Sequence, residues 1–262
     1  MRSKDVRIVI CLILFAILGV IPGCATRKTT SPIKNSLPQN ELSYYSDTFD
    51  TLREDLLDKG GYVHLEAQMK NFKLADMRIE KGKLIVQTKT GNFSKGGLGS
   101  KYTLRGNFDV QVDCHIDFLK RSIDTDQLLH FLVADRSKEV KDTDMVLIGM
   151  AKGRERQQGF IYSGCKVHGA YQKGKFQEID SFHGMLSIVR IGNEVSTLYK
   201  EMGKGKLKKL NTFAFTENNM LIGFRLQNYF YKRTSIQAKD SIIAEFDNFK
   251  INAAQEIIEE EI

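Results

Sequence analysis

The fold class follows from one alternating stretch of the chain, Phe108-Asp109-Val110-Gln111-Val112-Asp113-Cys114-His115-Ile116-Asp117-Phe118. Apolar residues stand at the even positions and polar residues at the odd ones. Successive side chains of a β-strand point to opposite faces of its sheet, so this period of two is typical of a strand with one buried face. The stretch therefore predicts an antiparallel sheet that covers a core on one side and meets water on the other.

Short apolar runs separated by glycine-containing turns extend this pattern along the chain. The further strands that they predict span 83–88, 128–133, 145–150, 159–163, 186–190, 194–199, 220–226 and 242–251. Gly192-Asn193 predicts a hairpin turn, because both residue types tolerate positive φ. One helix is expected over 51–59, with Asp50 or Thr51 as its cap.

The first 23 residues resemble a bacterial lipoprotein export signal. A charged start precedes an apolar run over 8–20, and that run breaks at Pro22-Gly23. The run is shorter than the roughly 20 residues that a spanning helix needs, although a transmembrane anchor is the alternative interpretation. The order of these features before Cys24 resembles a lipobox, which implies that lipid is attached to Cys24 and holds the protein on a membrane.

This resemblance implies an extracytoplasmic protein of the bacterial cell envelope. Ala25, in the place where an Asp retains lipoproteins in the inner membrane, favours the outer membrane of a Gram-negative cell. The expected division is a signal peptide over 1–23, a lipidated cysteine and flexible tether over 24–41, a sandwich over 42–252 and an acidic tail over 253–262. The tether is polar and contains prolines, so it cannot bury a core.

The charge distribution disfavours a nucleic-acid partner, and the two cysteines of the body leave two alternatives open. The formal net charge is +7, and it falls to +5 without residues 1–23, which carry three basic residues and one acidic residue. The basic residues are scattered, and the densest group, over 204–209, lies in a predicted turn, so no nucleic-acid partner is expected. Cys114 and Cys165 remain in the body, and they form either one disulfide or two buried thiols.

A set of motifs along the body resembles the concanavalin-A-like, laminin-G-like jelly-roll superfamily. The stretches that carry this resemblance are Asp47-Thr48-Phe49-Asp50, Gly82-Lys83-Leu84, Lys101-Tyr102-Thr103-Leu104-Arg105-Gly106-Asn107-Phe108-Asp109, Leu186-Ser187-Ile188-Val189-Arg190-Ile191-Gly192-Asn193 and Glu245-Phe246-Asp247-Asn248-Phe249-Lys250-Ile251. They span residues 47–252, and the resemblance implies an all-β, two-sheet antiparallel jelly-roll β-sandwich. One such sandwich hosts lectins, glycosidases, lyases and adhesion modules, so the fold alone does not give the function.

Glu178-Ile179-Asp180-Ser181-Phe182-His183 resembles part of the catalytic strand of laminarinase-type glucanases. Glu178 and Asp180 match the first two carboxylates, but the third position holds His183, or Phe182 in a shorter spacing. A retaining glycosidase needs two carboxyl groups about 5 Å apart across the sugar bond. The chain also has no tryptophan to stack on a sugar ring. No catalytic residue is therefore assigned, and an exposed edge strand with solvated carboxylates is favoured.

Aromatic and polar residues in two segments are the ligand-binding candidates. They are Tyr162, His168, Tyr171, Asn228, Tyr229 and Tyr231. No cofactor is expected, although Asp50 and Asp247 are weak calcium candidates because first and last strands of jelly rolls commonly pair.

The sequence favours a membrane-anchored, non-catalytic, lectin-like module whose partner is a glycan or another cell-envelope component. The alternatives are a divergent glycoside hydrolase or lyase of the same fold, which would use Glu178 and Asp180, and an envelope scaffold without a small ligand.

Overall fold

The computed structural model describes residues 33–59, 72–91, 93–118, 126–135, 143–153, 158–216, 219–229 and 238–259. Residues 1–32, which include Cys24, lie outside this part of the chain. The elements are the helix α1 (Gln39–Tyr44) and the strands β1 (Leu57–Asp58), β2 (Lys73–Leu74), β3 (Asp76–Glu80), β4 (Lys83–Gln87), β5 (Ser94–Ser100), β6 (Tyr102–Asp117), β7 (Asp126–Asp135), β8 (Met145–Lys152), β9 (Gly159–Val167), β10 (Ala170–Ile179), β11 (Ser181–Ile191), β12 (Glu194–Glu201), β13 (Lys208–Ala214), β14 (Met220–Tyr229) and β15 (Ile243–Glu259).

The strands form the two layers expected of a jelly-roll sandwich. The first sheet has the order β5-β14-β7-β8-β9-β10, with β1 and β2 added on β5. The second sheet has the order β3-β4-β15-β6-β11-β12-β13. The pairing of Met220 with Leu104 connects the two layers. The pairs are antiparallel, with the short β2–β5 pair as the parallel exception.

The apolar residues of the alternating stretch on β6 also fill the core. The side chains of Phe108, Val110, Val112 and Ile116 on β6 are fully buried, while the polar residues between them face away from the core. The core predicted from the sequence is confirmed, because each of its members is at most 1% exposed: Leu84, Val86, Val110, Val112, Ile116, Ile188, Leu226, Phe246 and Phe249.

An aromatic cluster around Phe224 joins the two sheets at the centre of the sandwich. Phe224 belongs to the first sheet, and its ring centroid lies 5.1 Å from that of Phe246 and 5.9 Å from that of Phe249, both on β15 of the second sheet. Phe49, from the segment before β1, lies 5.7 Å from the same ring. The tilted and edge-on angles are those that aromatic rings prefer.

The folded body begins earlier than the sequence boundary placed it. The backbone N–H of Leu37 donates to the carbonyl of Ala254 at 2.8 Å. Ile33 is 6% exposed, and Leu42 of α1 is buried against the core. Residues 33–41, assigned to the tether, are therefore part of the body, because their apolar side chains find a surface next to β15.

The expected acidic tail is largely strand. β15 continues to Glu259, where it pairs with Tyr102 of β6, and Ile257 pairs with Leu104. The small side chains of Ala253 and Ala254 are buried there, so this part of β15 remains in the sheet. The boundary at 252 is thus too early, and residues 260–262 lie outside the described residues.

The helix predicted over 51–59 is wrong. This segment forms turns and then β1, in which Leu57 pairs with Ser100 of β5. Leu56 and Leu57 are adjacent and both buried, whereas the buried residues of a surface helix recur about every three to four positions. The helix is α1 instead, and among the described residues no helix is long and apolar enough to cross a membrane.

Two smaller expectations are resolved. Gly192, at φ 59°, forms the hairpin turn between β11 and β12, as predicted. Cys114 and Cys165 are free, buried thiols on opposite sheets. Burial raises the pKa of the Cys165 thiol to about 11, so the reactive thiolate is scarce at neutral pH.

Phe246→Ala should lower the free energy of unfolding by about 3–5 kcal/mol, because it removes a fully buried ring from the Phe224 cluster. Urea denaturation followed by circular dichroism measures this change. Ile243→Ala on the same strand is the matched control, since Ile243 is 44% exposed and its loss should change stability by less than about 1 kcal/mol. Equal costs for the two variants would contradict the packing described here.

Candidate functional site

A row of six residues crosses the outward face of the first sheet at the same height, and four of them have polar or aromatic side chains. On β7, Leu129 and Phe131 belong to the core, so His130 between them points to the opposite face of the sheet, where it is 4% exposed. Directly opposed residues of an antiparallel pair share a face, and the register extends the row in both directions. From β5 to β10 its members are Gly97, Arg225, His130, Gly149, Tyr162 and Phe176.

Glycine makes room for this arrangement. A Cβ at Gly149 of β8 would meet the carbonyl of Leu129, and it would lie 2.7 Å from His130 Cδ2. Because Gly149 has no side chain, the imidazole of His130 reaches across β8 to Tyr162 on β9. Gly97 likewise leaves room beside Arg225, where a Cβ would lie 2.6 Å from the Cα of that arginine.

A hydrogen-bond chain connects three of these side chains. Arg225 Nε donates to His130 Nδ1 at 3.0 Å. Since Nδ1 accepts, the proton of a neutral imidazole lies on Nε2, which then donates to the hydroxyl oxygen of Tyr162 at 2.5 Å. The hydroxyl proton of Tyr162 remains available for a further acceptor.

In this hydrogen-bond chain, the His130 imidazole and the Tyr162 hydroxyl are both uncharged at pH 7. Burial lowers the pKa of His130 well below its usual value, and the positive charges of Arg225 and Lys95 lower it further. Burial also raises the pKa of the Tyr162 hydroxyl. His130 and Tyr162 therefore act as hydrogen-bonding groups rather than as charges.

An aromatic strip runs from this chain to the edge strand β10. It consists of Tyr162, Phe160 and Phe176; the Phe160 ring lies 5.6 Å from that of Tyr162 and 6.1 Å from that of Phe176. Phe176 is 66% exposed, an unusual position for a phenylalanine. The strip thus offers ring faces and edges to a ligand, next to a polar chain.

The structure brings two of the predicted ligand residues to this face. Tyr171 of β10 leans over Gly164 of β9, so its ring lies on the same side of the sheet as Tyr162. It is 49% exposed, and partial burial raises the pKa of its hydroxyl. His168 lies instead in the β9–β10 turn, where its backbone N–H donates to Asp144 Oδ1 at 2.6 Å and its imidazole is exposed.

The second predicted ligand segment is not brought to this face in the same way. Asn228 is fully buried, and its Nδ2 donates to the carbonyl of Asp240 at 3.0 Å, so its amide supports the fold. Tyr229 ends β14, and nothing is described of its side chain. Tyr231 lies outside the described residues.

The two candidate carboxylates lie at the edge of the first sheet. Glu178 is exposed on β10 opposite Phe160. The next positions inward at this height are Ala151 and Leu128, so no second carboxylate faces Glu178 in this row of described residues. Asp180 follows the end of β10 in an exposed bend. The geometry is that of the solvated edge strand favoured from the sequence.

The weak calcium candidates line two different clefts. Asp50 accepts a hydrogen bond from Thr48 Oγ1 at 2.9 Å and lines a cleft of about 570 Å³. Asp247 accepts one from the backbone N–H of Asn248 at 2.7 Å and lines a cleft of about 470 Å³ on the second sheet. Within the described ranges, no group of three His, Cys, Asp or Glu side chains is arranged to hold a metal ion.

By sequence, no protein family and no curated protein matches the chain. Solved structures do resemble it. The chain has a concanavalin-A-like jelly-roll fold. It is similar to a β-glucanase of Bacillus licheniformis, with 13% identity, a TM-score of 0.56 and coverage of 79% of this chain and 96% of that one.

Two further jelly-roll structures resemble it over the same share of the chain. A β-1,3-1,4-glucanase (lichenase) from a mouse hindgut metagenome has 10% identity and a TM-score of 0.56, and 97% of that chain is covered. The CBM2 module of the evolved Dit of Lactobacillus casei BL23 phage J-1 has 10% identity and a TM-score of 0.51, and 96% of it is covered. At identities this low, the structural similarity shows the fold alone, and function must be argued from the site.

The buried, neutral His130 should make stability depend on pH. Its folded-state pKa is depressed, so its contribution is present above the unfolded value of about 6.5 and is lost as the pH falls below it, by up to about 1.4 kcal/mol per pH unit. Urea denaturation at pH values between about 7.5 and 5.5 measures this slope for the wild type and for His130→Gln.

The His130→Gln variant should show a shallower slope than the wild type. Parallel slopes for the wild type and His130→Gln would contradict the burial of a neutral imidazole.

Proposed function

We propose that the protein is a non-catalytic glycan-binding module anchored to the bacterial cell envelope. The observation that carries this proposal is the aromatic strip Tyr162–Phe160–Phe176 beside the Arg225–His130–Tyr162 hydrogen-bond chain, on the outward face of the first sheet.

The chemistry of this face suits a sugar. A pyranose ring has apolar C–H faces that pack on aromatic rings and hydroxyl groups that need hydrogen-bond partners at its rim. The exposed Phe176 and half-exposed Tyr171 supply apolar surface, while Tyr162 has a hydroxyl proton to donate. The strip thus provides the stacking surface that tryptophan would otherwise supply.

The similar structures support a glycan as the ligand. Two are described as β-glucanases and one as a CBM2 module. Another, LamA of Zobellia galactanivorans, with a TM-score of 0.52 and 8% identity, is described in complex with laminaritriose and laminaritetraose. Glycan-related proteins thus recur on this fold.

The arrangement of carboxylates disfavours hydrolysis. A glycosidase needs two carboxyl groups, about 5 Å apart for retention or about 6.5–9.5 Å apart for inversion. The described residues opposite Glu178 are Phe160, Ala151 and Leu128, and Asp180 follows the same strand rather than facing it across a sugar. A divergent hydrolase or lyase is the second candidate, since β-glucanases share the fold.

Glycan binding is tested with soluble β-1,3- and β-1,3-1,4-glucans and with purified envelope polysaccharides, by affinity electrophoresis and calorimetry. Phe176→Ala should weaken binding about tenfold, the effect expected when about 1.4 kcal/mol of ring stacking is lost. Tyr44→Ala is the matched control, because Tyr44 is 51% exposed on α1, away from the strip.

Three results would contradict this proposal. Unchanged affinity in Phe176→Ala would show that the aromatic strip does not bind the glycan. Absence of binding to every glycan tested would favour the envelope scaffold. Release of reducing sugar by the wild type, abolished by Glu178→Gln with Asp180→Asn, would establish the hydrolase. Otherwise that double variant should fold and bind as the wild type does.

The membrane anchor is proposed from residues 1–24, where an apolar run ends at Gly23-Cys24. Cys24→Ala should prevent processing and incorporation of labelled fatty acid, because the acceptor thiol is gone. Cys114→Ala is the control, since that thiol is buried in the sandwich. A Cys24→Ala protein that still incorporates fatty acid and migrates as the mature form would contradict the anchor.

A further inference from the structure

The hairpin between β12 and β13 concentrates positive charge on one edge of the second sheet. Residues 200–209, called the lysine hairpin here, contain five lysines and one glutamate. Residues 202–209 are all exposed. Gly203 and Gly205 adopt positive φ, at 70° and 55°, and thereby form the turn.

Only part of this charge is neutralised within the fold. Glu201 pairs with Lys204 at 2.8 Å and more loosely with Lys208 at 3.7 Å. In the described part of the chain, Lys200, Lys206 and Lys209 have no carboxylate partner. These three ammonium groups remain available to an external anion.

Apolar side chains stand among the lysines. Met202 is 63% exposed and Leu207 is 38% exposed, at the two ends of the turn. The backbone N–H of Met202 donates to the carbonyl of His183 on β11 at 2.7 Å, so the base of the turn is held on the sheet. The hairpin thus presents two exposed apolar side chains, at the two ends of its turn, among lysine ammonium groups.

We propose that the lysine hairpin docks on the headgroups of anionic phospholipids. Lysine ammonium groups are attracted to a negatively charged bilayer surface, while their methylene stems and neighbouring apolar side chains enter the boundary between headgroups and acyl chains. A dissolved polyanion would attract the lysines but would give Met202 and Leu207 no apolar phase to enter. The exposure of Met202 and Leu207 beside the lysines therefore favours a bilayer over a soluble polymer.

The test uses the chain over 31–262, because residues 31–262 form one compact unit that contains the whole described core. It lacks Cys24 and the apolar leader, so any vesicle binding belongs to the folded body. Co-sedimentation is measured with vesicles of phosphatidylcholine alone and of phosphatidylcholine with about one third phosphatidylglycerol. A cooperative melt by circular dichroism establishes that each variant is folded.

The body should bind the phosphatidylglycerol vesicles and not the neutral ones, and high salt should release it. Each lysine near the surface contributes about fivefold in affinity, so Lys200→Glu with Lys206→Glu and Lys209→Glu should lose at least about a hundredfold. The matched control reverses the same number of charges at exposed lysines elsewhere, Lys81→Glu with Lys175→Glu and Lys250→Glu, and should lose much less.

Insertion of the Met202 side chain into the bilayer can be measured by fluorescence, because the chain has no tryptophan. Met202→Trp introduces a single indole, whose emission should shift to the blue on phosphatidylglycerol vesicles. Leu74→Trp, at a 40% exposed position on β2, should show no shift.

Any of three outcomes would overturn the proposal. Equal loss of binding in the two triple variants would show a response to net charge alone. Equal binding to neutral and anionic vesicles would show that the lysines do not contribute to membrane binding. Binding to soluble dextran sulfate without binding to vesicles would assign the hairpin to an anionic polymer instead.

Discussion

The packing of Phe224 against Phe246 and Phe249 is the interaction on which the rest of the structure depends. It joins the two sheets at their centre, and Phe49 brings the N-terminal segment into the same cluster. Once these rings are buried, strand alternation commits every other residue of the surrounding strands to the core. The intervening residues must then point outward, which determines where chemistry can reside.

The outward face of the first sheet shows this consequence directly. His130 lies between the core residues Leu129 and Phe131, so its imidazole is directed outward where Gly149 leaves space for it. The strand pairing then places Arg225 on one side and Tyr162 on the other. The Arg225–His130–Tyr162 hydrogen-bond chain thus depends on the packing of the core on the other face of the same strands.

Local pattern could predict the strands and the core, but not the site. The alternation over 108–118 specified which side of β6 is buried, and the structure confirms it. Tyr162 and Tyr171 were identifiable because one turn separates them. His130 and Arg225 are 95 positions apart and meet only because β14 pairs with β7. Phe176 lies beside Tyr162 only because of the register in which β10 pairs with β9. The start of the body was misplaced because the polar, proline-bearing composition around 33–41 concealed side chains that pack beside β15.

The neutrality of the His130–Tyr162 pair bears on whether this face binds or catalyses. Proton transfer at neutral pH needs a group whose pKa lies near 7, whereas burial moves those of His130 and Tyr162 in opposite directions away from it. The pair can orient and donate hydrogen bonds but is poorly placed to exchange protons with a substrate. The exposed lysines of the lysine hairpin lie at an edge of the other sheet. The fold thus separates an aromatic surface with a neutral His130–Tyr162 pair, which suits a sugar, from a cationic hairpin, which suits anionic headgroups.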